Sequence, residues 1–359
     1  MKYWTEKVSR LEPYDAGPVP RGPGWIKLDQ NENPYPPSKL FLRGMRAVQV
    51  SSLRLYPSSL SDDVRSAALA QLHRIGLKSL NADNIFVSNS SDEVLAHSYT
   101  AFLSGRTNVM MPDISYGFYP LFATMFDVGI RTVALRKDLS ISPGDYSGAS
   151  GVVIANPNAP TGLALRLHDI EAIVRQNPKG VVIIDEAYID FANVPSAVHL
   201  VPKYDNLLIV RTLSKSYSMA GLRVGYAIGA ANLIEALRCV QNSFNPYPLG
   251  TFEQVAAAWT LRDIRRHKEQ CNRIIQTRDK YNHEFRKLGY EPTRSQTSFL
   301  FVKIGPNAKE LYKHLIKNKI LVRYQNAPRI YAYLRVSVGT EDQMKRLLSC
   351  VRDFRKHRD

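Results

Sequence analysis

The feature that most narrows the possible folds is a set of short, unbroken apolar runs: Gly151-Val-Val-Ile-Ala155, Val181-Val-Ile-Ile184 and Leu207-Leu-Ile-Val210. A strand with one face in water alternates apolar and polar residues, whereas a strand that is apolar throughout is covered on both faces. Four more runs extend the series: Ile85-Phe-Val87, Asn108-Val-Met-Met111, Arg131-Thr-Val-Ala134 and Val224-Gly-Tyr-Ala-Ile228. Helical patterns separate several of them, including 92–103 and 167–176. Strands alternating with helices in this way predict an α/β fold with a mostly parallel, seven-stranded sheet between layers of helices. Residues 60–75 add an amphipathic helix, with Val64, Ala68 and Leu72 four apart on one face.

The flanks read differently. Residues 1–30 are rich in proline and glycine and predict an extended arm lying on another surface. Residues 31–250 form the large sheet-bearing domain, and 251–290 a charged helical connection. A smaller α/β domain at 291–359 takes its strands from Phe299-Leu-Phe-Val302, Ile320-Leu-Val-Arg323 and Tyr333-Leu-Arg-Val-Ser-Val338, with helices at 308–317 and from 341.

Composition excludes several classes of function. No run of about 18 apolar residues is present, which argues against a membrane-spanning helix. The start, Met1-Lys-Tyr-Trp-Thr-Glu-Lys7, lacks the apolar core of a signal peptide. Cys239, Cys271 and Cys350 have no metal-ligand spacing, so the expectation is no metal and reduced thiols in the cytoplasm. The net charge of +16 is spread along the chain, and its densest patches, 262–268 and 354–358, read as solvated helix faces. Without a zinc finger, RNP motif or helix-turn-helix, that charge predicts neither a nucleic-acid nor a membrane partner. It predicts a field that gathers small anionic substrates.

The chemistry concentrates after the strands. In Arg211-Thr-Leu-Ser-Lys-Ser-Tyr-Ser-Met-Ala-Gly-Leu-Arg223, Lys215 lies between hydroxyl residues, with Arg223 eight places on. A neutral lysine amine adds to a carbonyl. Thr212, Ser214 and Arg223 suit a phosphate, the hydroxyls as donors and the guanidinium as a bidentate fork. That pairing fits pyridoxal 5'-phosphate, although Ser-Lys-Ser alone is more often a solvated turn. Val181-Val-Ile-Ile-Asp-Glu-Ala-Tyr188 delivers Asp185 at a strand's C-terminal end, suited to a pyridinium nitrogen. Tyr188 follows as a donor to the phenolic oxygen of the ring. A magnesium ligand of a nucleotide hydrolase has the same pattern, but the phosphate loop it needs is missing.

Other stretches call for the same ligand. In Ser88-Asn-Ser-Ser-Asp-Glu93 the amides of Ser91 and Asp92 open a helix, where an anion is favoured. Asn156-Pro-Asn-Ala-Pro-Thr-Gly162 places asparagine amides just past a strand. In Tyr116-Gly-Phe-Tyr119 an aromatic ring is available to stack. Arg335 lies inside an apolar run and Arg323 ends another, so each meets either an internal acid or a ligand anion.

Taken together, Asn31-Glu-Asn-Pro34, Tyr56-Pro57, Asn156-Pro-Asn-Ala-Pro-Thr-Gly162, Asp185-Glu-Ala-Tyr188, Thr212-Leu-Ser-Lys215 and Leu334-Arg335 resemble the fold-type I pyridoxal-phosphate aminotransferases, most closely the histidinol-phosphate aminotransferase branch. The resemblance runs from Leu11-Glu-Pro-Tyr14 to Arg335. It implies that Lys215 forms the Schiff base and moves a proton, and that Asp185 pairs with the pyridinium nitrogen. Tyr188 would donate to the phenolic oxygen and Tyr116 stack on the ring. Ser91, Asp92, Ser214 and Arg223 would hold the phosphate, helped by Tyr56 from a neighbouring subunit, hence a homodimer with shared sites. Arg335 would clamp the substrate, with Arg323, Tyr35 and Asn33 as further substrate residues. One departure is Ala159, where many relatives carry asparagine, so the remaining hydrogen bond to the phenolic oxygen falls to Asn158 or Asn156, or is lost.

The implied reaction is transamination of histidinol phosphate, a phosphorylated amino alcohol, with 2-oxoglutarate, a 2-oxo acid. Alternatives are an aromatic or broad-range aminotransferase and, more distantly, a threonine-phosphate decarboxylase. From other classes come a nucleic-acid-binding ATPase and an inactive cofactor-binding regulator.

Overall fold

The computed structural model describes residues 3–13, 17 and 22–356. Part of the expected arm, with Tyr14 of Leu11-Glu-Pro-Tyr14 and the tail beyond 356, therefore lies outside the described residues. In chain order the strands are β1 Ile26–Leu28, β2 Ile85–Asn89, β3 Val109–Pro112, β4 Ile130–Val133, β5 Gly151–Ala155, β6 Val181–Asp185, β7 Leu207–Thr212, β8 Val224–Gly229, β9 Glu291–Pro292, β10 Phe299–Lys303, β11 Ile320–Tyr324 and β12 Tyr333–Ser337.

Seven of them form one sheet in the order β2-β8-β7-β6-β5-β3-β4. Every pairing is parallel except those of β8, which runs antiparallel to both β2 and β7. Continuous apolar strands follow directly from coverage on both faces. Val152, Ile154, Val182, Ile184, Leu207 and Ile209 pack into one core layer, while Val153, Ile183, Leu208 and Val210 enter the other. From β5 the order runs outward through β6 and β7 on one side and through β3 and β4 on the other. That reversal opens a crevice at the carboxyl ends of the central strands, where open α/β sheets bind ligands.

A second sheet has the order β1-β11-β12-β10-β9 and its own core around Leu28, Leu300, Val302, Leu311, Val322 and Met344. Residues 26–28, expected within the arm, are the parallel edge strand of this sheet, Ile26 opposite Ile320 and Leu28 opposite Val322. The chain thus reaches the second sheet first and then crosses to the large one.

The helices follow the sequence pattern with two adjustments. The stretch expected at 92–103 is a helix over Ser90–Ser98 that widens into a π-type turn at Tyr99–Leu103, closed by Ser104 N donating to Tyr99 O at 2.8 Å. The long helical region divides into Thr251–Arg262 and Ile264–Lys287. Asp263 makes the break because its carboxylate caps Arg266 N at 3.2 Å and accepts the Ser38 hydroxyl.

Candidate active site

Three strand ends converge on one cavity of about 360 Å³. Asp185, the last residue of β6, is buried; its Oδ2 accepts the Tyr119 hydroxyl at 3.0 Å and its Oδ1 accepts Ala187 N at 3.1 Å. Burial outweighs both bonds and pushes its pKa up to about 6. Glu186 faces the opposite way. It meets Arg211 at 2.9 Å and accepts the Ser196 hydroxyl and Ala197 N, so the Asp-Glu pair splits between the cavity and an internal ion pair. Among the described residues no group of three or more His, Cys, Asp or Glu is placed to hold a metal.

The helix Ser90–Ser98 starts directly after β2. Glu93 accepts Asn89 N at 2.7 Å, and Ser91 and Asp92, in the first turn where amides have no partner within the helix, line the cavity. Strand β8 passes so close that a Cβ on Gly225 would lie 2.3 Å from Ser91 N, so only glycine fits there. Arg223 precedes it in the left-handed region, φ 57°, with its guanidinium 3.1 Å from Asp92 Oδ2. Asp92 Oδ1 also accepts the Tyr116 hydroxyl at 3.0 Å. Burial first, and then Asp92, raise the Tyr116 pKa, so that phenol is a neutral donor.

Thr212 ends β7. Its hydroxyl donates to Ser214 Oγ at 3.0 Å and accepts Ser214 N at 3.1 Å, which folds the chain back and brings Lys215 into the cavity. Lys215 Nζ donates to Gln30 O at 3.2 Å and lies 5.9 Å from the centre of the Tyr188 ring. Ser91, Asp92, Tyr116, Asp185, Tyr188, Thr212, Ser214, Lys215 and Arg223 all line the cavity. An adjoining cavity of about 330 Å³ shares Tyr188, Lys215 and Arg223 and adds Arg323, Gln325 and Arg335. Arg323 and Arg335 are directly opposite across β11 and β12, and Arg335 donates to Asp29 O at 2.7 Å.

Other expected residues lie elsewhere. The Asn158 amide is spent on its own loop and on the segment after β3, its Nδ2 donating to Thr161 Oγ1 and Ile114 O and its Oδ1 accepting Ser115. Asn156 Oδ1 accepts Leu165 N, and among the described residues its buried Nδ2 has no partner. Ala159 lines the cavity with a methyl group instead. Asn33 supports backbone, donating to Lys215 O at 3.1 Å. Tyr35 packs at the margin under the Arg273 guanidinium, 3.9 Å from its ring centre. Tyr56 is 81% exposed and stacks on Tyr247 at 4.5 Å.

Two contributors were not singled out from the sequence. Tyr119, in the first turn of the helix Phe118–Met125, packs edge-on against Tyr116 at 5.6 Å. Asn31 donates to the Tyr188 hydroxyl at 2.8 Å from a segment 157 residues away, which no local pattern reveals.

These features fit one kind of ligand: hydroxyls, a guanidinium and a helix start, a buried carboxylate and an amine all line one cavity. Comparison with known proteins agrees. The chain matches the family of class I and II aminotransferases over residues 23–351. It is 42% identical over 359 residues to the histidinol-phosphate aminotransferase of Acinetobacter baylyi, covering 99% of this chain and 98% of that protein. It is also 42% identical to histidinol-phosphate aminotransferase 2 of Dechloromonas aromatica, at 98% and 99% coverage. The crystal structure of histidinol-phosphate aminotransferase from Sinorhizobium meliloti in complex with pyridoxal 5'-phosphate superposes with a TM-score of 0.84 at 19% identity, covering 99% of each chain. The aspartate aminotransferase of Thermotoga maritima shares the fold at a TM-score of 0.83 and 19% identity, over 98% of this chain and 100% of that one. The continuous apolar sheet, the lysine-bearing cavity and near full-length similarity lead to one assignment: this chain belongs to the class I and II aminotransferase family.

Proposed function

We propose that this protein transfers an amino group from L-histidinol phosphate to 2-oxoglutarate, giving imidazole-acetol phosphate and L-glutamate in histidine biosynthesis, with pyridoxal 5'-phosphate as cofactor. The observation that carries this reading is that Lys215 shares one cavity with a buried acid and a phosphate-suited cluster, and also lines a second cavity bearing two adjacent arginines.

The cofactor supplies an aldehyde that takes up the amino group and a ring that accepts electrons from the substrate carbon. Thr212, Ser214, Arg223 and the amides of Ser91 and Asp92 hold its phosphate, where donors and the helix dipole both favour an anion. Asp185, ionised, holds a proton on the ring nitrogen, and Tyr116 provides the stacking face. Tyr188 donates its hydroxyl proton to the phenolic oxygen. Lys215 Nζ takes the proton from the substrate's Cα, the amine being held beside the cavity by Gln30 O. Arg323 and Arg335 bind the anionic end of each substrate, the phosphate of one and a carboxylate of the other, with Asn33 and Tyr35 supporting the wall beside them. The positive net charge speeds arrival of both substrates.

A homodimer completes the picture. Val50, Leu53, Leu55, Tyr56, Phe244, Tyr247 and Phe252 are exposed apolar side chains, with the Tyr56 and Tyr247 rings stacked, and they suit contact with a second copy of the chain. In that arrangement Tyr56 reaches the phosphate in its neighbour's cavity. The residues divide as a large cofactor-binding domain at 31–250 and a small domain at 291–359 joined by helices, in the cytoplasm.

The test is a single-turnover spectrum of the cofactor-loaded protein, titrated separately with histidinol phosphate, phenylalanine and glutamate. Loss of the near-visible absorbance at far lower histidinol phosphate than phenylalanine supports the reading. Equal response to phenylalanine points instead to an aromatic or broad-range aminotransferase.

A further inference from the structure

Three consecutive residues between β1 and the large sheet each touch a different part of the site. Asp29 O accepts Arg335, Gln30 O accepts Lys215, and the Asn31 side chain reaches the Tyr188 hydroxyl. The third contact has a defined direction. Asn31 N donates to Ser337 Oγ at 2.8 Å, so the Ser337 proton is directed to Asn31 Oδ1, 3.1 Å away. With Oδ1 accepting from Ser337, the opposite end of the amide is Nδ2, and it donates to Tyr188. Asn31 and Ser337 are both about 2% exposed, so water does not compete for these bonds.

A phenol oxygen that accepts a hydrogen bond keeps its own proton for another acceptor. Among the described residues the bond from Asn31 is the only one at the Tyr188 hydroxyl, and that hydroxyl belongs to a residue lining the cavity. Among the described residues no other side chain serves this position from the neighbouring loop: Ala159 presents a methyl, Asn158 is saturated, and Asn156, which accepts Leu165 N, is not among the residues lining the cavity. We infer that Asn31, locked by Ser337, is a positioning residue that commits the Tyr188 proton to the phenolic oxygen of the cofactor, replacing the loop amide that this chain lacks. The inference rests on the proposed cofactor reading and deepens it. The relay also ties β12, which carries Arg335, to the cofactor cavity through one side chain.

The groups around Tyr188 define the background against which this is read. Lys215 Nζ lies 5.9 Å from its ring centre, and the Phe299 ring packs edge-on at 5.2 Å, itself 5.5 Å from the Arg335 guanidinium. Asp185 and Tyr116 line the same cavity.

The test is the pH midpoint of the near-visible absorbance of the lysine-bound cofactor. A donor on the phenolic oxygen stabilises the negative charge that grows there as the neighbouring nitrogen loses its proton, so it lowers the midpoint. Asn31→Asp keeps the size of the side chain but offers only acceptors, and draws the Tyr188 proton to itself. The midpoint then rises by about one pH unit, the worth of a hydrogen bond to a charged group. Asn31→Gly, which suits the φ of 58° at this position, gives a smaller rise, as does Ser337→Ala. Tyr188→Phe raises the midpoint at least as far, and adding Asn31→Asp to it produces no further rise.

An unchanged midpoint in Asn31→Asp and Asn31→Gly overturns the inference and leaves Asn31 a structural residue. A rise that persists in the Tyr188→Phe background also overturns it, since the new charge would then act directly. If Asn31→Asp fails to fold, Asn31→Gly and Ser337→Ala decide the matter alone. Wild-type protein that develops no near-visible band with pyridoxal 5'-phosphate removes the cofactor reading itself, and the inference with it.

Discussion

Asp185 is a carboxylate placed where burial resists its charge, and Asp185→Asn in the cofactor-free protein measures what that placement costs. Its pKa rises from 3.8 to about 6 in the folded chain. Two pH units correspond to about 3 kcal/mol. Because the folded pKa lies above the unfolded one, the native state holds the proton more tightly. The carboxyl is therefore neutral and harmless at the lowest pH, destabilises progressively as pH rises from about 4 to about 6, and exerts its full cost above that. Asparagine keeps the shape and removes the charge. Its amide must find new partners where Tyr119 and Ala187 N both now donate, which offsets roughly 1–2 kcal/mol. The variant should therefore be more stable than wild type by about 1–2 kcal/mol at pH 8, with the gross gain falling by about two-thirds at pH 4.5. Urea unfolding of both cofactor-free proteins at equal protomer concentration measures this, since assembly shifts apparent stability. Cofactor should reverse the order, because only the ionised aspartate pairs with a protonated ring nitrogen. A variant no more stable than wild type at pH 8, or a gain that does not change with pH, would refute the argument from burial.

Three further outcomes follow from the same geometry. Lys215→Ala should lose the near-visible cofactor band and turnover while keeping its sedimentation behaviour; full activity in that variant ends the proposed mechanism. Gly225→Ala would set a methyl 2.3 Å from Ser91 N, and should destabilise the protein by about 1–3 kcal/mol and weaken cofactor affinity, read by thermal melting and cofactor titration. Arg211→Met strips the cation from the buried Glu186 and the half-buried Asp190, and should cost roughly 3–5 kcal/mol near neutrality, with the loss shrinking in acid as Glu186 takes up a proton; denaturant curves at two pH values check the sign.

How legible this molecule is in its sequence depends on the range over which a constraint acts. Strand β4, at the edge of the large sheet, is largely exposed and carries Arg131 and Thr132. The inner strands stand out because being covered on both faces demands apolar residues along their length, a demand each strand meets within itself. The same holds for Asp185, Thr212 and the start of the helix Ser90–Ser98, which are polar because they stand where covered strands end. Strand β1 escapes notice because three residues beside a glycine-rich stretch carry no period of their own; they are a strand only because β11 offers an edge. The asparagine loop misleads for a related reason. Composition places amides near the cavity, but Ser115, Thr161 and Leu165 decide where those amides point, and they turn both away.

Asn31 lies at the far end of this scale. Its hydrogen bonds join residue 31 to residues 188 and 337, and nothing within ten positions of it calls for a buried amide. What makes the arrangement physically reasonable is the route of the chain. Strand β1 fixes the N-terminal segment to the second sheet, so the residues after it must cross to the first, and the crossing passes over the cavity that both sheets border. Backbone groups exposed in such a crossing need partners. Here Asp29 O and Gln30 O find them in Arg335 and Lys215, so the satisfaction of an ordinary connecting segment and the orientation of the reactive side chains are achieved by the same bonds. A perturbation of that segment should accordingly show in the chemistry of Lys215 and Tyr188 before it shows in global stability, because the two cores on either side do not depend on it.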